Sequence, residues 1–198
     1  LLLLTAPDVK VNEEEIVVKD IILVLDTSGS MQGEKMDQAK EAARYVLDHL
    51  NPLDRFAIVS FATTTRSFSP SLEPAAQADK GKDFLDRLEA MGSTDINRAM
   101  IEAVGLAEEV RPTTLIFLTD GLPTEGVTVT GAILDNVARE APDNVRIFSF
   151  GVGDDVDTDL LDQISLDHGG ASTYVRPGEE IDEEVSAFYR RVKMPVLS

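Results

Sequence analysis

The chain has 198 residues, enough for one domain with a full hydrophobic core, and 43% of them are hydrophobic. No apolar run approaches the roughly 18 residues that a membrane-spanning helix needs, so the sequence predicts a water-soluble domain without a membrane span. The net charge of −18 disfavours nucleic acid as a partner, and the lack of cysteine excludes disulfides and thiolate metal sites.

The chain begins with an apolar stretch that does not have the features of a leader sequence. Residues 1–4 are all leucine, further apolar residues alternate with polar ones after them, and neither a basic flank nor a cleavage site accompanies the run. We predict that residues 1–18 are an extended lead-in segment from an upstream domain. Residues 19–193 are then the domain itself, and residues 194–198 are an exit tail.

A buried strand is predicted at residues 21–25, because five consecutive aliphatic residues suit a strand that is covered on both faces of a parallel sheet. Asp26, Ser28 and Ser30 follow this strand, and Gly29 between the serines lets the backbone turn tightly enough for the three side chains to converge. Hard oxygen donors of this kind suit Mg²⁺. The loop after the strand is therefore a candidate metal site.

The rest of the chain alternates predicted helices with predicted strands. Helices are indicated by apolar residues at helical spacing, and strands by short runs of apolar and β-branched residues. The predicted helices are 34–50, 74–91 with a weak, loop-like beginning at 75–81, 96–110, one from 130 onward, 158–166 and 180–192. The predicted later strands are 55–61, 64–69, 113–119, 145–152 and 171–175. This alternation predicts an α/β domain with a doubly wound, mostly parallel central sheet and helices on both faces.

Two more polar motifs lie beside these elements. Thr94 and Asp95 precede a predicted helix, where capping is the ordinary interpretation of such residues. Asp120 directly follows the second fully apolar strand. Capping by Asp95 and metal ligation by Thr94 are compatible.

Together the three motifs resemble the metal-ion-dependent adhesion site of von Willebrand factor type A domains. That site combines an Asp-x-Ser-x-Ser loop, a threonine from a later loop and an aspartate after a second central strand, and Asp26, Ser28, Ser30, Thr94 and Asp120 match these five positions. The strand order of the family, 3-2-1-4-5-6 with one antiparallel edge strand, places the motifs where the order reverses, which is where such sheets bind ligands. The leucine-rich start and residues 50–56 also resemble the inter-alpha-trypsin inhibitor heavy chain group and its bacterial relatives.

The resemblance implies a divalent-metal-dependent protein-interaction or adhesion module and not an enzyme. It implies Mg²⁺, with Mn²⁺ or Ca²⁺ as alternatives, held directly by the two serines and the threonine and through water by the two aspartates. A carboxylate from a protein partner would fill the open position. The resemblance also implies a secreted or cell-surface location, and we expect the isolated domain to be monomeric.

Two alternatives stay open at this point. An intracellular type A domain would use the same residues to dock on an ATPase or chelatase partner. A Mg²⁺-dependent hydrolase would need a general base, and the two histidines, His49 and His168, fall at predicted helix ends away from the motifs. The acidic run at 154–159 is interpreted as helix capping and not as a calcium loop, because leucines stand where such a loop needs glycine and glutamate.

Overall fold

A seven-stranded, mostly parallel sheet forms the centre of the computed structural model, which describes residues 18–176 and 178–193. The strands are β1 (Asp20–Asp26), β2 (Arg55–Phe61), β3 (Thr65–Ser67), β4 (Glu73–Pro74), β5 (Thr113–Thr119), β6 (Val145–Val152) and β7 (Ala171–Val175). Their order is β3-β2-β1-β5-β6-β7, with β4 pairing separately with β2. Since β4 lies off this path, the order is the predicted 3-2-1-4-5-6. β3 is the predicted antiparallel edge strand.

The order of strands reverses between β1 and β5. From β1 the chain moves outward to β2 and β3, and it then returns to the other side of β1 to build β5, β6 and β7. β1 pairs in parallel with both of its neighbours, and Leu25 lies opposite Ser60 on β2 and Leu118 on β5. The carboxyl ends of β1 and β5 therefore lie side by side at the point where open α/β sheets bind ligands.

Helices cover both faces of the sheet, as predicted. They are α1 (Glu34–Asp48), α2 (Ala78–Asp86), α3 (Ile96–Val104), α4 (Thr130–Glu140), α5 (Thr158–Asp167) and α6 (Ile181–Lys193). α1, α2 and α6 pack on one face of the sheet, and α3, α4 and α5 pack on the other. Side chains of β1 alternate between the two cores, and Ile21 to Leu25 are all 0% exposed. Burying each aliphatic side chain contributes about 1.5–3 kcal/mol, so β1 contributes strongly to the stability of both cores.

A buried ion pair holds the opposite, amino-terminal ends of β1 and β2. The Arg55 guanidinium donates to both carboxylate oxygens of Asp20, at 2.9 and 2.6 Å. Asp20 is 0% exposed, so the charge would be costly without this bidentate partner. The pair helps to set the register of the two strands whose other ends carry the candidate site.

Two predicted helices are wrong in extent. The helix predicted at 74–91 is α2, which spans only Ala78–Asp86 after a 3₁₀ turn, and Met91 is 64% exposed in the loop that follows. That loop leaves the helix because its backbone bonds elsewhere: the Met91 N–H donates to the Thr27 carbonyl oxygen at 2.7 Å. The helix predicted at 96–110 ends at Val104, before Gly105, and Val110 is 78% exposed.

The pairing of β4 with the base of β2 was not predicted. The lead-in segment up to residue 17 and the exit tail at 194–198 lie outside the described residues, so these domain limits stay predictions. Within the described ranges, no helix combines the length and the apolar character required to cross a membrane.

Candidate metal centre

The loop from β1 to α1 is held rigidly at the carboxyl end of the sheet. It forms a 3₁₀ turn at Gly29–Met31, and the Met31 side chain is 0% exposed in the core beneath it. The Thr27 hydroxyl donates to the Phe61 carbonyl oxygen at 2.9 Å, which ties the loop to the end of β2. The Gly29 N–H donates to the Gly92 carbonyl oxygen at 3.0 Å, which ties it to the loop that carries Thr94.

Four of the five predicted ligands form one continuous hydrogen-bonded chain. The Ser28 N–H donates to Asp26 Oδ1 at 2.7 Å, the Ser28 and Ser30 hydroxyl oxygens lie 3.0 Å apart, and the Ser30 hydroxyl donates to Asp120 Oδ1 at 2.7 Å. Because the Ser30 proton points to Asp120, Ser28 is the donor to Ser30. The Asp26 and Asp120 side chains, from β1 and from the end of β5, are thus connected through the Ser28 backbone N–H and the Ser28 and Ser30 hydroxyl groups.

Thr94 lies beside this chain, on the loop before α3. A methyl group placed on Gly121 would be 3.6 Å from Thr94 Oγ1 and 3.9 Å from Ser30 Oγ, so both hydroxyls border the same glycine. The loop is fixed by the N–H groups of Thr124 and Glu125, which donate to the Thr94 carbonyl oxygen at 3.0 and 3.2 Å. Among the described residues, nothing hydrogen-bonds the Thr94 hydroxyl. It is therefore available to a ligand.

Asp95 caps α3, as the sequence predicted. Its carboxylate accepts a hydrogen bond from the Arg98 N–H at 3.0 Å. Asp157 caps α5 in the same way by accepting from the Leu160 N–H at 3.0 Å, which confirms the capping interpretation of the acidic run. Capping is thus assigned to Asp95, and Thr94 is left for a different role.

The electrostatics of the site depend on two buried carboxyl groups. Asp26 is 0% exposed and Asp120 is 2% exposed, whereas Ser30 is exposed and opens the site to solvent. Burial raises the pKa of the Asp26 carboxyl to about 6, and the negative charge of Asp120 adds to the rise, although hydrogen bonds from Thr119 and Ser28 oppose it. A cation at this position would favour the ionised form of Asp26.

Sequence reasoning missed two residues of the site. Thr119, the last residue of β5, is 0% exposed and donates its hydroxyl to Asp26 Oδ2 at 2.6 Å. Lys35, in the first turn of α1, donates its ammonium to Asp120 Oδ2 at 2.7 Å. A threonine at a strand end and a lysine on a helix are common, so neither residue belongs to a recognisable sequence motif. The one sequence signal that could have identified Thr119 is its position directly before Asp120.

The donor set fits a hard divalent cation. Two carboxylates and three hydroxyl groups converge, and all five supply the oxygen ligands that Mg²⁺ prefers. A lysine ammonium already lies against one of the carboxylates, so this position accommodates a positive charge. Within the described part of the chain no three His, Asp or Glu side chains are placed so that they could hold a metal ion by themselves, so any metal here would depend on the hydroxyls.

Comparison with known proteins assigns the chain to a class. The sequence model of the von Willebrand factor type A domain matches residues 20–185, and the chain therefore belongs to the von Willebrand factor type A domain family. It is 35% identical over 191 residues to inter-alpha-trypsin inhibitor heavy chain H4 of Homo sapiens and 33% identical over 192 residues to heavy chain H2 of Sus scrofa. Each alignment covers 91% of this chain and 20% of the relative, so the chain spans about a fifth of the length of these proteins.

Solved structures share the same fold. A von Willebrand factor type A protein from Catenulispora acidiphila superposes with a TM-score of 0.79 at 24% identity, covering 87% of this chain and 42% of that one. Proximal thread matrix protein 1 from the mussel byssus superposes with a TM-score of 0.69 at 20% identity, covering 91% of this chain and 48% of that one. At these identities the likeness concerns the fold alone.

Proposed function

We propose that this domain is a divalent-metal-dependent protein-interaction module, whose metal site takes up a carboxylate from a protein partner. The observation that carries the proposal is the convergence of two buried carboxylates and three hydroxyl groups where the order of strands reverses. Membership of the von Willebrand factor type A family supports it, since such domains commonly act as metal-dependent interaction modules.

The residues divide into two roles. Ser28, Ser30 and Thr94 would hold the ion directly, because their hydroxyls are neutral and leave its charge uncompensated. Asp26 and Asp120 would act through bound water and supply negative charge. When bound, Mg²⁺, or Mn²⁺ or Ca²⁺ in its place, would offer a Lewis-acidic position to an incoming carboxylate.

The surroundings of the site indicate what kind of acidic partner fits. The whole chain carries a net charge of −18, so a highly acidic partner would be repelled and an isolated acidic residue is favoured. Met91 and Leu122 are 64% and 51% exposed, on the loops that carry Thr94 and Asp120. We therefore propose an aspartate or glutamate flanked by apolar residues as the recognised feature.

A non-catalytic role is part of this proposal. His49 Nδ1 lies 2.7 Å from the Tyr45 carbonyl oxygen, and His168 Nδ1 lies 2.9 Å from the Ile164 carbonyl oxygen. Both rings therefore bind the carboxyl-terminal turns of their own helices, which are not at the candidate site. We further propose that the isolated domain is monomeric and that the protein acts outside the cell or at its surface.

Metal titration tests the first half of the proposal. At one hundred times its dissociation constant, an ion that binds only the folded state adds about 2.7 kcal/mol, which raises the melting temperature of a domain of this size by about 5–10 °C. Thermal melts and calorimetric titrations with MgCl₂, MnCl₂ and CaCl₂ measure this directly. Asp120→Asn keeps the shape and the acceptor for Ser30 but removes a charge, and it should lose most of the response. A wild-type domain that shows no shift with any of the three ions contradicts the proposal.

Peptide selection tests the second half. A random peptide library is selected on the immobilised domain in MgCl₂ and eluted with EDTA. Recovered peptides should share one Asp or Glu next to apolar residues, and replacing that residue by its amide should abolish binding. Binding that survives EDTA or the amide replacement would show that no carboxylate is taken up by a metal.

A further inference from the structure

The charge of Asp120 already has a cationic partner that belongs to the protein. Lys35 Nζ lies 2.7 Å from Asp120 Oδ2, the Asp120 side chain is 0% exposed and that of Lys35 is 41% exposed. The other carboxylate oxygen of Asp120 accepts from the Ser30 hydroxyl at 2.7 Å. Both oxygens of a proposed site carboxylate are thus engaged, one of them by a full positive charge.

The position of Lys35 has no advantage for the helix on which it lies. It is the second residue of α1, where the unpaired N–H groups make the helix end positive and disfavour a cation. The other charged residues of that first turn are acidic, Glu34 and Asp37. Pairing with Asp120 is therefore the interaction that accounts for a lysine at this place.

Space for the ammonium exists beside the ion pair. Gly153, at the end of β6, has a φ of +85°, and a methyl group placed on it would lie 3.6 Å from Lys35 Nζ. Lys35 also lines a cavity of about 370 Å³ between α1 and the loops after β6 and β7. Among the described residues lining it, the carboxylates of Glu34, Asp154, Asp155, Glu179 and Glu180 outnumber the cations Lys35 and Arg176. An ammonium that leaves Asp120 would enter a negatively charged cavity.

We propose that Lys35 is a tethered cation that competes with the metal ion for Asp120. Without metal, its ammonium neutralises one of the two buried carboxylates; when a divalent ion binds, the ammonium moves into the acidic cavity. The inference rests on the proposed function, because it concerns the same site. Its consequence is a lowered metal affinity, since each binding event must displace Lys35 from Asp120.

The size of the effect follows from population arithmetic. Apparent affinity falls by the fraction of molecules in which the competing pair is open. An ion pair with one partly exposed partner has modest strength, so the expected reduction of metal affinity is about three- to tenfold. An effect of this size is larger than the error of a calorimetric titration and can be measured.

The test compares two lysine-to-methionine variants by titration with MgCl₂ alone. Lys35→Met keeps an unbranched stem and removes the charge, and it should bind Mg²⁺ about three- to tenfold more tightly than wild type. Lys82→Met is the matched control, because this variant also loses the ion pairs of a lysine, here with Asp48 and Asp79, but far from the site. It should bind Mg²⁺ as wild type does. If Lys35→Met does not fold, Lys35→Gln makes the same test.

Displacement of the amine gives a second, independent readout. The rate of acetylation at Lys35, measured by mass spectrometry on the wild-type domain, should rise when MgCl₂ is added, whereas the rate at Lys82 should not change. If wild type binds Mg²⁺ but Lys35→Met binds it no more tightly, this inference is overturned and the proposed function stands. The same holds if wild type binds Mg²⁺ but the acetylation rate at Lys35 does not change. Wild type that does not bind any divalent ion overturns both.

Discussion

The hydrogen bond from Thr119 to Asp26 makes a residue outside the motif a determinant of the site. Thr119 Oγ1 lies 2.6 Å from Asp26 Oδ2, and both residues are 0% exposed. Replacing Thr119 by Val keeps the branched shape and nearly the same volume, so no large cavity forms. What changes is one buried carboxylate oxygen, which loses its donor, and the Gly121 N–H, which loses a long hydrogen bond of 3.4 Å to the Thr119 hydroxyl.

The expected cost follows from the charge of the acceptor. A hydrogen bond to a charged group contributes about 1.5–3 kcal/mol, which corresponds to a fall in melting temperature of about 3–12 °C for a domain of this size. Thr119 also orients a group proposed to act on the metal, and losing such a supporting residue typically lowers metal affinity about 10–100-fold. Thr119→Val should therefore weaken both stability in chelator and binding of Mg²⁺.

Urea unfolding in EDTA and calorimetric titration with MgCl₂ measure the two effects separately. Thr114→Val is the matched control, because Thr114 lies on the same strand, is 7% exposed, and has a hydroxyl without a hydrogen-bond partner among the described residues. The free energy of unfolding of Thr114→Val should differ from that of wild type by no more than about 0.5 kcal/mol. The reasoning fails if both variants unfold at the same urea concentration and Thr119→Val binds Mg²⁺ within twofold of wild type.

Two further predictions concern pH and the loop that supports Thr94. Burial raises the pKa of Asp26 from 3.8 to about 6, so the folded state binds an extra proton between these two pH values. In EDTA, the stability of wild type relative to Asp26→Asn should therefore rise by about 2–3 kcal/mol as the pH falls from 7.5 to 4. The affinity for Mg²⁺ should drop about tenfold between pH 7 and 5, because the proton competes with the ion for Asp26. A urea series that shows the opposite slope contradicts the role of burial. Gly126 has a φ of +65°, and a methyl group there would lie 2.6 Å from Asp95 Oδ2. Gly126→Ala should therefore lower the free energy of unfolding by about 2–3 kcal/mol. It should also weaken Mg²⁺ binding, because the displaced Asp95 would shift its neighbour Thr94. Gly169 has a φ of +62° and a methyl group there would meet nothing nearer than 4.0 Å, so Gly169→Ala should show the backbone cost alone. If the two variants lose the same stability and the same metal affinity, the clash between residue 126 and Asp95 is refuted.

The bounds of four strands were predictable from sequence to the residue, and β1 extends one residue beyond the predicted 21–25 at each end. β2, β5, β6 and β7 begin and end where the apolar runs predicted, because those runs are bounded by polar or turn-forming residues on the chain itself. The caps at Asp95 and Asp157 were predictable for the same reason, since a cap bonds an N–H only three residues away. The five candidate ligands were found because four of them lie at or after the ends of β1 and β5 and all five match a family motif.

The extents of two helices and the supporting residues of the site were not predictable, because distant backbone and side chains decide them. The apolar spacing of 74–91 continues to Met91, but the Met91 N–H bonds the Thr27 carbonyl, 64 positions earlier along the chain, and the helix ends at Asp86. Val110 likewise lies outside its helix. Lys35 bonds Asp120 across a separation of 85 residues, which no local pattern signals.

The sequence by itself determined the class of fold and the order of its elements along the chain, because hydrophobic periodicity is a local property, and its resemblance to a family motif identified the five oxygen-bearing residues. Only the tertiary structure decided how those residues are oriented and charged. The reversal of strand order brings the ends of β1 and β5 together, and this closeness allows Thr119 to hold Asp26 and Lys35 to pair with Asp120. The burial of Asp26, which raises the pKa of its carboxyl, likewise exists only once the sheet is assembled.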